Sequence, residues 1–204
     1  MPEKTTQQEL NERVALIEAM IAEGRRGTES WGWTFVLWGV AYYVALGWSA
    51  WGPWAVWAWP ITMIAALVLM FVIVSRNEKR ETEPRVETTV GRAVFSVWIA
   101  MGISMFLLLL FVGLSGRFNV HLFIAVVGSM LGLANAASSM ILRWKVQSGC
   151  AIIWWASAAA ACFTSLQLTT AAFLAAIFFC QIVFGIYCMM AEARERRERG
   201  AAHA

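Results

Sequence analysis

Asn135 and Gln181 are the two carboxamides that fall well inside long apolar stretches of this 204-residue chain. Each needs hydrogen-bond partners away from lipid, so both should face a helix bundle or another subunit. An amide pair of that kind either glues helices together or, with hydroxyls such as Ser138, Ser139, Ser157 and Thr164, coordinates a small neutral solute or ion. Charge is missing from the same stretches. The chain has no Asp, and all its Glu, Lys and Arg lie outside them. A proton-coupled pump would place an ionisable group there, because only function justifies its several kcal/mol (about 3 or more) of burial cost.

The remaining reactive side chains are sparse. Cys150, Cys162, Cys180 and Cys188 form no C-x-x-C pair and stand beside no histidine. They are expected to be small buried apolar groups, not metal ligands or a redox dithiol. His121 and His203 do not share a depth, which disfavours a bis-histidine haem. No phosphate loop, paired-carboxylate site or basic aromatic surface occurs, so neither a cofactor or metal nor a nucleic-acid partner is expected. The segment "GLSG" at 113–116 resembles the G-x-S-G of rhomboid intramembrane proteases, which also have six-span cores. The resemblance implies Ser115 as nucleophile. It also requires a histidine base on the last span, where this chain has none, and a serine without a base is a poor nucleophile. A protease is therefore the remote alternative, and the chain reads as a non-enzyme.

The clearest pattern is one of packing. Ala125, Ser129, Gly132, Ala136 and Ser139 recur at 4-3-4-3 spacing, which puts them on one narrow helical face. A face without large side chains lets another helix approach closely, from the same chain or from a second copy. Smaller versions follow at Ala158, Cys162 and Ser165, and at Ala171, Ala175 and Gly185. The last three spans should be the tightly packed half.

These residues need long apolar helices to hold them. The chain is 60% hydrophobic and 14% charged, and its apolar runs reach the roughly 20 residues that cross a bilayer. The expected fold is all-α: a polytopic membrane bundle of six transmembrane helices, residues 30–191, preceded by an amphipathic helix. The spans are placed at about 31–51, 54–75, 93–114, 119–142, 149–167 and 170–190. Gly52-Pro53, "SGRFN" and "LQLT" should be tight turns. With this threading, fifteen of the sixteen Lys and Arg fall on one side and Arg117 alone on the other. The positive-inside rule then puts both termini in the cytoplasm. The uncharged hairpin "WSAWGPWAVWAWP" becomes an outer interfacial belt of Trp48, Trp51, Trp54, Trp57 and Trp59, with Trp31, Trp33 and Trp144 marking the inner interface. Pro60 must be interior to its span, since a helix beginning there would be too short to cross.

Outside the spans, residues 1–29 should form a cytoplasmic amphipathic helix and linker, loosened at Gly24 and Gly27, and 192–204 a basic tail. Leu10, Val14, Ile17 and Ile21 recur at 4-3-4 spacing as a contact seam. The segment nets −2, so a protein surface suits it better than anionic lipid. Beyond the lipid bilayer, the expected partners are a second copy of the chain (a homo-oligomer) or another membrane or cytosolic protein. Self-association or partner binding is the favoured activity, with a passive channel or transporter as the alternative.

Overall fold

The computed structural model describes residues 2–51, 55–78, 89–116 and 119–202, which are helical almost throughout. Trp54, the Gly52-Pro53 turn, Arg117, His203 and residues 79–88 of the charged loop lie outside these. The helices are α1 (Pro2–Ser30), α2 (Gly32–Trp51), α3 (Ala55–Glu78), α4 (Thr89–Ser115), α5 (Val120–Leu142), α6 (Lys145–Phe163), α7 (Leu166–Ile177) and α8 (Phe184–Ala202). A π-helical segment, Phe178–Val183, joins α7 to α8 in one continuous rod.

Among the described residues, five stretches are long and apolar enough to cross a membrane: Trp57–Arg76, Thr89–Val112, Val120–Leu142, Lys145–Phe163 and Leu166–Glu198. α2 is a sixth charge-free helix of 20 residues, about 30 Å at 1.5 Å per residue. Its Gly, Trp and Tyr content lowers its hydropathy without adding any group that lipid would reject. Together they form the expected all-α membrane bundle, with α1 ahead of it.

Helix ends follow local chemistry. Asn119 caps α5, its side-chain oxygen accepting from the Leu122 amide at 3.0 Å. α5 stops at Arg143, whose left-handed backbone (φ 48°) turns the chain into α6. α6 therefore begins at Lys145, four residues earlier than expected. Its other end also moves. The turn into α7 lies at Thr164 and Ser165, where the Thr164 hydroxyl and amide both donate to Ala160 O, so "LQLT" is the first turn of α7 and not a loop. Pro60 sits inside α3, as the span length requires.

The linker expected before the first span is absent. α1 runs unbroken to Ser30 and gives way to α2 at Trp31 alone. Gly24 serves close approach instead of flexibility: a Cβ there would lie 2.7 Å from Val90 Cγ1 and 3.1 Å from Leu142 Cδ2. One register governs the pairing of α1–α2 with α8. A Cβ on Gly39 would meet Gln181 and Ile182, one on Gly32 would meet Cys188, and Arg26 pairs with Glu195. The two rods thus run antiparallel along each other, with α1 continuing beyond the bundle beside the end of α8.

Packing is uneven. In α5, α6 and the α7–α8 rod, 44%, 39% and 44% of the apolar window is buried within the protein, against 11% in α3 and 6% in α4. The last three spans are the packed half, and α5 with α6 is the most extensive helix pairing. α3 leans mainly on α2, and α4 on α5 and α1. Both leave faces such as Ile64, Phe71, Ile103 and Phe106 open to the surroundings. In a bilayer those faces cost nothing, because lipid tails are as apolar as the side chains.

Candidate functional site

Among the described residues, two groups hold most of the polar side chains that the bundle buries. The first is the root of α1, where α1 meets the adjoining ends of α4, α5 and α8 and Trp144 of the α5–α6 joint. Arg25 donates through Nε to Glu29 Oε1 at 3.1 Å and stacks over the Trp144 ring, its guanidinium carbon 4.9 Å from the centroid. Arg26 joins Glu23 of the same helix (3.3 Å) to Glu195 of α8 (3.4 Å). These bonds close one side of a cavity of about 520 Å³, also lined by Glu18, Leu142 and Arg143. Glu29 is buried, and burial raises its carboxyl above the ordinary 4.5, opposed by the Arg25 hydrogen bond and charge. Trp144 extends the cluster inward. Its ring packs on Phe184 (5.3 Å), Phe184 on Phe35 (5.2 Å), and Phe35 on Trp98 (5.3 Å). The Trp98 indole then donates to Ser138 Oγ at 3.1 Å. Five helices are fastened at one level by these contacts, the aromatic pairs each contributing about 1 kcal/mol beyond their area.

The second group is a set of separately buried polar side chains on α5, α6 and the π-helical segment, of which Gln181 lies against Gly39 of α2. Asn135 is buried and donates through Nδ2 to Leu131 O at 2.8 Å, leaving Oδ1 without a protein partner. Gln181 is buried in the π-helical segment, with Oε1 likewise unpartnered. Gln147, in the first turn of α6, is fully buried and neither of its amide atoms has a protein partner. Ser157 Oγ and the indole nitrogen of Trp154 share that condition. Asn135 and Gln181 each stand 15 residues beyond their helix starts at Val120 and Leu166, hence at a similar depth, about 22 Å along. Further toward the tryptophan-rich end, His121 donates through Nδ1 to Ala161 O (2.9 Å) beside a Thr164–Thr169 hydroxyl pair (3.0 Å).

The other expected residues divide by face. On the small-residue stripe, Gly132, Ala136 and Ser139 are buried, Ala125 is half-buried and Ser129 is exposed. The stripe meets α6 of the same chain: a Cβ on Gly132 would collide with the Trp155 indole, and one on Gly128 would lie 3.1 Å from Trp154 O. In the tryptophan belt, Trp51 and Trp57 are 89% and 56% exposed and Trp48 is half-buried. Trp59 turns inward instead, onto Tyr42 and Phe123 (6.3 and 6.2 Å). Trp144, expected at the lipid interface, is 3% exposed, because the Arg25 guanidinium and the Phe184 and Tyr187 rings cover it. Cys150, Cys180 and Cys188 are buried, but Cys162 faces outward. Ser115 donates to Val112 O of its own helix, and His121 is engaged with the α6–α7 turn. On α1, Leu10, Val14 and Ile17 are 55%, 53% and 54% exposed and Ile21 is half-buried.

Sequence reasoning missed the α2 glycines and Gln147. Gly32 and Gly39 lie seven apart, two turns on one face, a signal hidden by the large aromatic residues between them. Gln147 belongs by composition to the basic joint between α5 and α6, and only the early start of α6 carries it into the bundle.

Fold and polar clusters together define a multi-pass helical membrane protein with a docked amphipathic arm. No protein-family model matches the chain, and no curated protein or solved structure is significantly similar to it.

Proposed function

We propose that this is a non-enzymatic membrane protein whose bundle anchors α1 as a cytoplasmic arm that binds a second copy or a protein partner. The observation that carries this reading is the state of residues 7–19. They are exposed on every face of α1, although Leu10, Val14 and Ile17 form a continuous apolar seam. An unpaired amphipathic helix of that length is marginal in water, because most helical stability comes from packing the apolar face. The root at Arg25, Glu29 and Trp144 holds the arm fixed, so its seam is presented and not folded back. The cytoplasmic side follows from the Lys and Arg asymmetry. The test is to delete residues 1–20, which leaves Arg25, Glu29 and Trp144 of the root in place, and weigh the species extracted from membranes under native conditions. The reading predicts loss of a larger assembly, whether homo-oligomer or complex. An unchanged set of masses contradicts it.

A second reading is favoured by the unpartnered oxygens of Asn135 and Gln181 and by the unpartnered amide of Gln147. Buried groups of this kind suit contact with water or a small neutral solute along a passive pathway. It predicts flux in proteoliposomes that Asn135→Leu or Gln181→Leu reduces, and sealed vesicles overturn it.

A further inference from the structure

We propose that the free segment of α1 pairs with the same segment of a second copy as a parallel two-stranded coiled coil, with Leu10 and Ile17 at d and Val14 at a. This rests on the partner-binding reading above and names the partner. Three observations carry it. The first is direction. The pairings of Gly39 with Gln181, Gly32 with Cys188 and Arg26 with Glu195 step evenly along both rods. α1 therefore leaves the bundle alongside α8. By the same register the end of α8 stands opposite about residue 18, since both helices rise 1.5 Å per residue. The residues before that point extend past the bundle, which is why they are exposed. Two copies inserted the same way round in one membrane then present their arms side by side and parallel.

The second observation is side-chain type. β-Branched Val14 at a beside Leu10 at d is the combination that favours two parallel strands, whereas Ile17 at d does not add to that preference. The third is charge. In this register Arg13 occupies g and Glu18 occupies e, five residues on, the positions that meet between strands of a parallel pair. Both are exposed. Arg13 of each copy therefore faces Glu18 of the other, giving two symmetric ion pairs. The face turned away from the seam closes its own polar contacts, as in Gln8 to Glu12 at 3.4 Å. Residues 7–19, just under two heptads, are short for a free peptide, but confinement of both copies to one bilayer raises their effective concentration.

The test is disulfide trapping of the full-length chain in native membranes, in a Cys162→Ser background that removes the exposed native thiol. Val14→Cys, at a, should form a dimer on mild oxidation, and Glu12→Cys, at f, should give at least tenfold less. Adding Arg13→Glu to Val14→Cys should cut the yield several-fold, and Arg13→Glu with Glu18→Arg should restore it. Equal yields at positions 12 and 14, no crosslink at either, or a yield indifferent to Arg13→Glu each overturn the proposal. If Val14→Cys fails to crosslink while deletion of residues 1–20 still removes a larger complex, self-pairing falls and the broader partner-binding reading stands.

Discussion

Gly32 and Gly185 face each other across the α2–α8 crossing so closely that neither has room for a methyl group. A Cβ on Gly32 would lie 2.8 Å from Gly185 O, and a Cβ on Gly185 would lie 2.8 Å from Gly32 O. Those carbonyls stand beside Cys188 Cβ (2.6 Å from the Gly32 position) and Val36 Cγ2 (2.7 Å from the Gly185 position), and because backbone is part of the obstruction the helices themselves would have to part.

Gly185→Ala is therefore expected to destabilise the bundle by about 1–3 kcal/mol, the usual cost of forcing extra volume into a packed site. At Gly27 and Gly102 an added methyl group would meet nothing within 4 Å. Gly102→Ala should be neutral or gain up to about 1 kcal/mol from helix propensity. Unfolding of the two variants in detergent, monitored by circular dichroism, compares them directly.

Gln147 supplies a prediction of opposite sign. Its amide is fully buried with no protein partner for either polar atom, a condition that costs about 1–3 kcal/mol per group. Gln147→Leu, close in volume, should leave stability unchanged or raise it. A loss above about 2 kcal/mol in the same unfolding measurement would mean that the amide is hydrogen-bonded to something in the membrane.

The buried carboxyl of Glu29 makes the root of α1 sensitive to pH. Burial raises its folded pKa above the ordinary 4.5 despite Arg25, and the charges facing it are Arg25, Arg26 and Glu195. A raised carboxyl favours the folded state when protonated. That contribution is complete at low pH and is lost as pH rises through the folded value. Glu29→Gln should therefore gain stability relative to the parent as pH rises from 4.5 toward neutrality. Hydrogen exchange of residues 21–30 at several pH values reads it, and a parallel profile for both proteins contradicts it.

Much of this architecture is legible in the sequence. The apolar run lengths and the small-residue stripe need only local composition and helical spacing. What stays hidden depends on contacts between distant segments. Trp144 reads as an interface residue, and it is the arrival of Arg25 from α1 and of Phe184 and Tyr187 from α8 that buries it. Trp59 belongs to a belt by sequence, yet Tyr42 and Phe123 draw it inward. The π-helical segment around Gln181 has no local signature in the sequence. The turn at Thr164 and Ser165 does have one, in its paired hydroxyls, but the apolar run around it conceals the break.

The proposed topology depends most on the chain crossing the bilayer an even number of times. Contacts of Arg26 with Glu195, of Gly32 with Cys188 and of Arg25 with Trp144 gather α1 and the last turns of α8 at one end of the bundle. Single cysteines at Glu12, Ala193 and Asn119, in a Cys162→Ser background, can be treated with a membrane-impermeant maleimide in intact cells. An even number of crossings with cytoplasmic ends predicts labelling at position 119 only, with positions 12 and 193 reacting together once the membrane is opened. Labelling of positions 12 and 193 from opposite sides, or of either before permeabilisation, would contradict it.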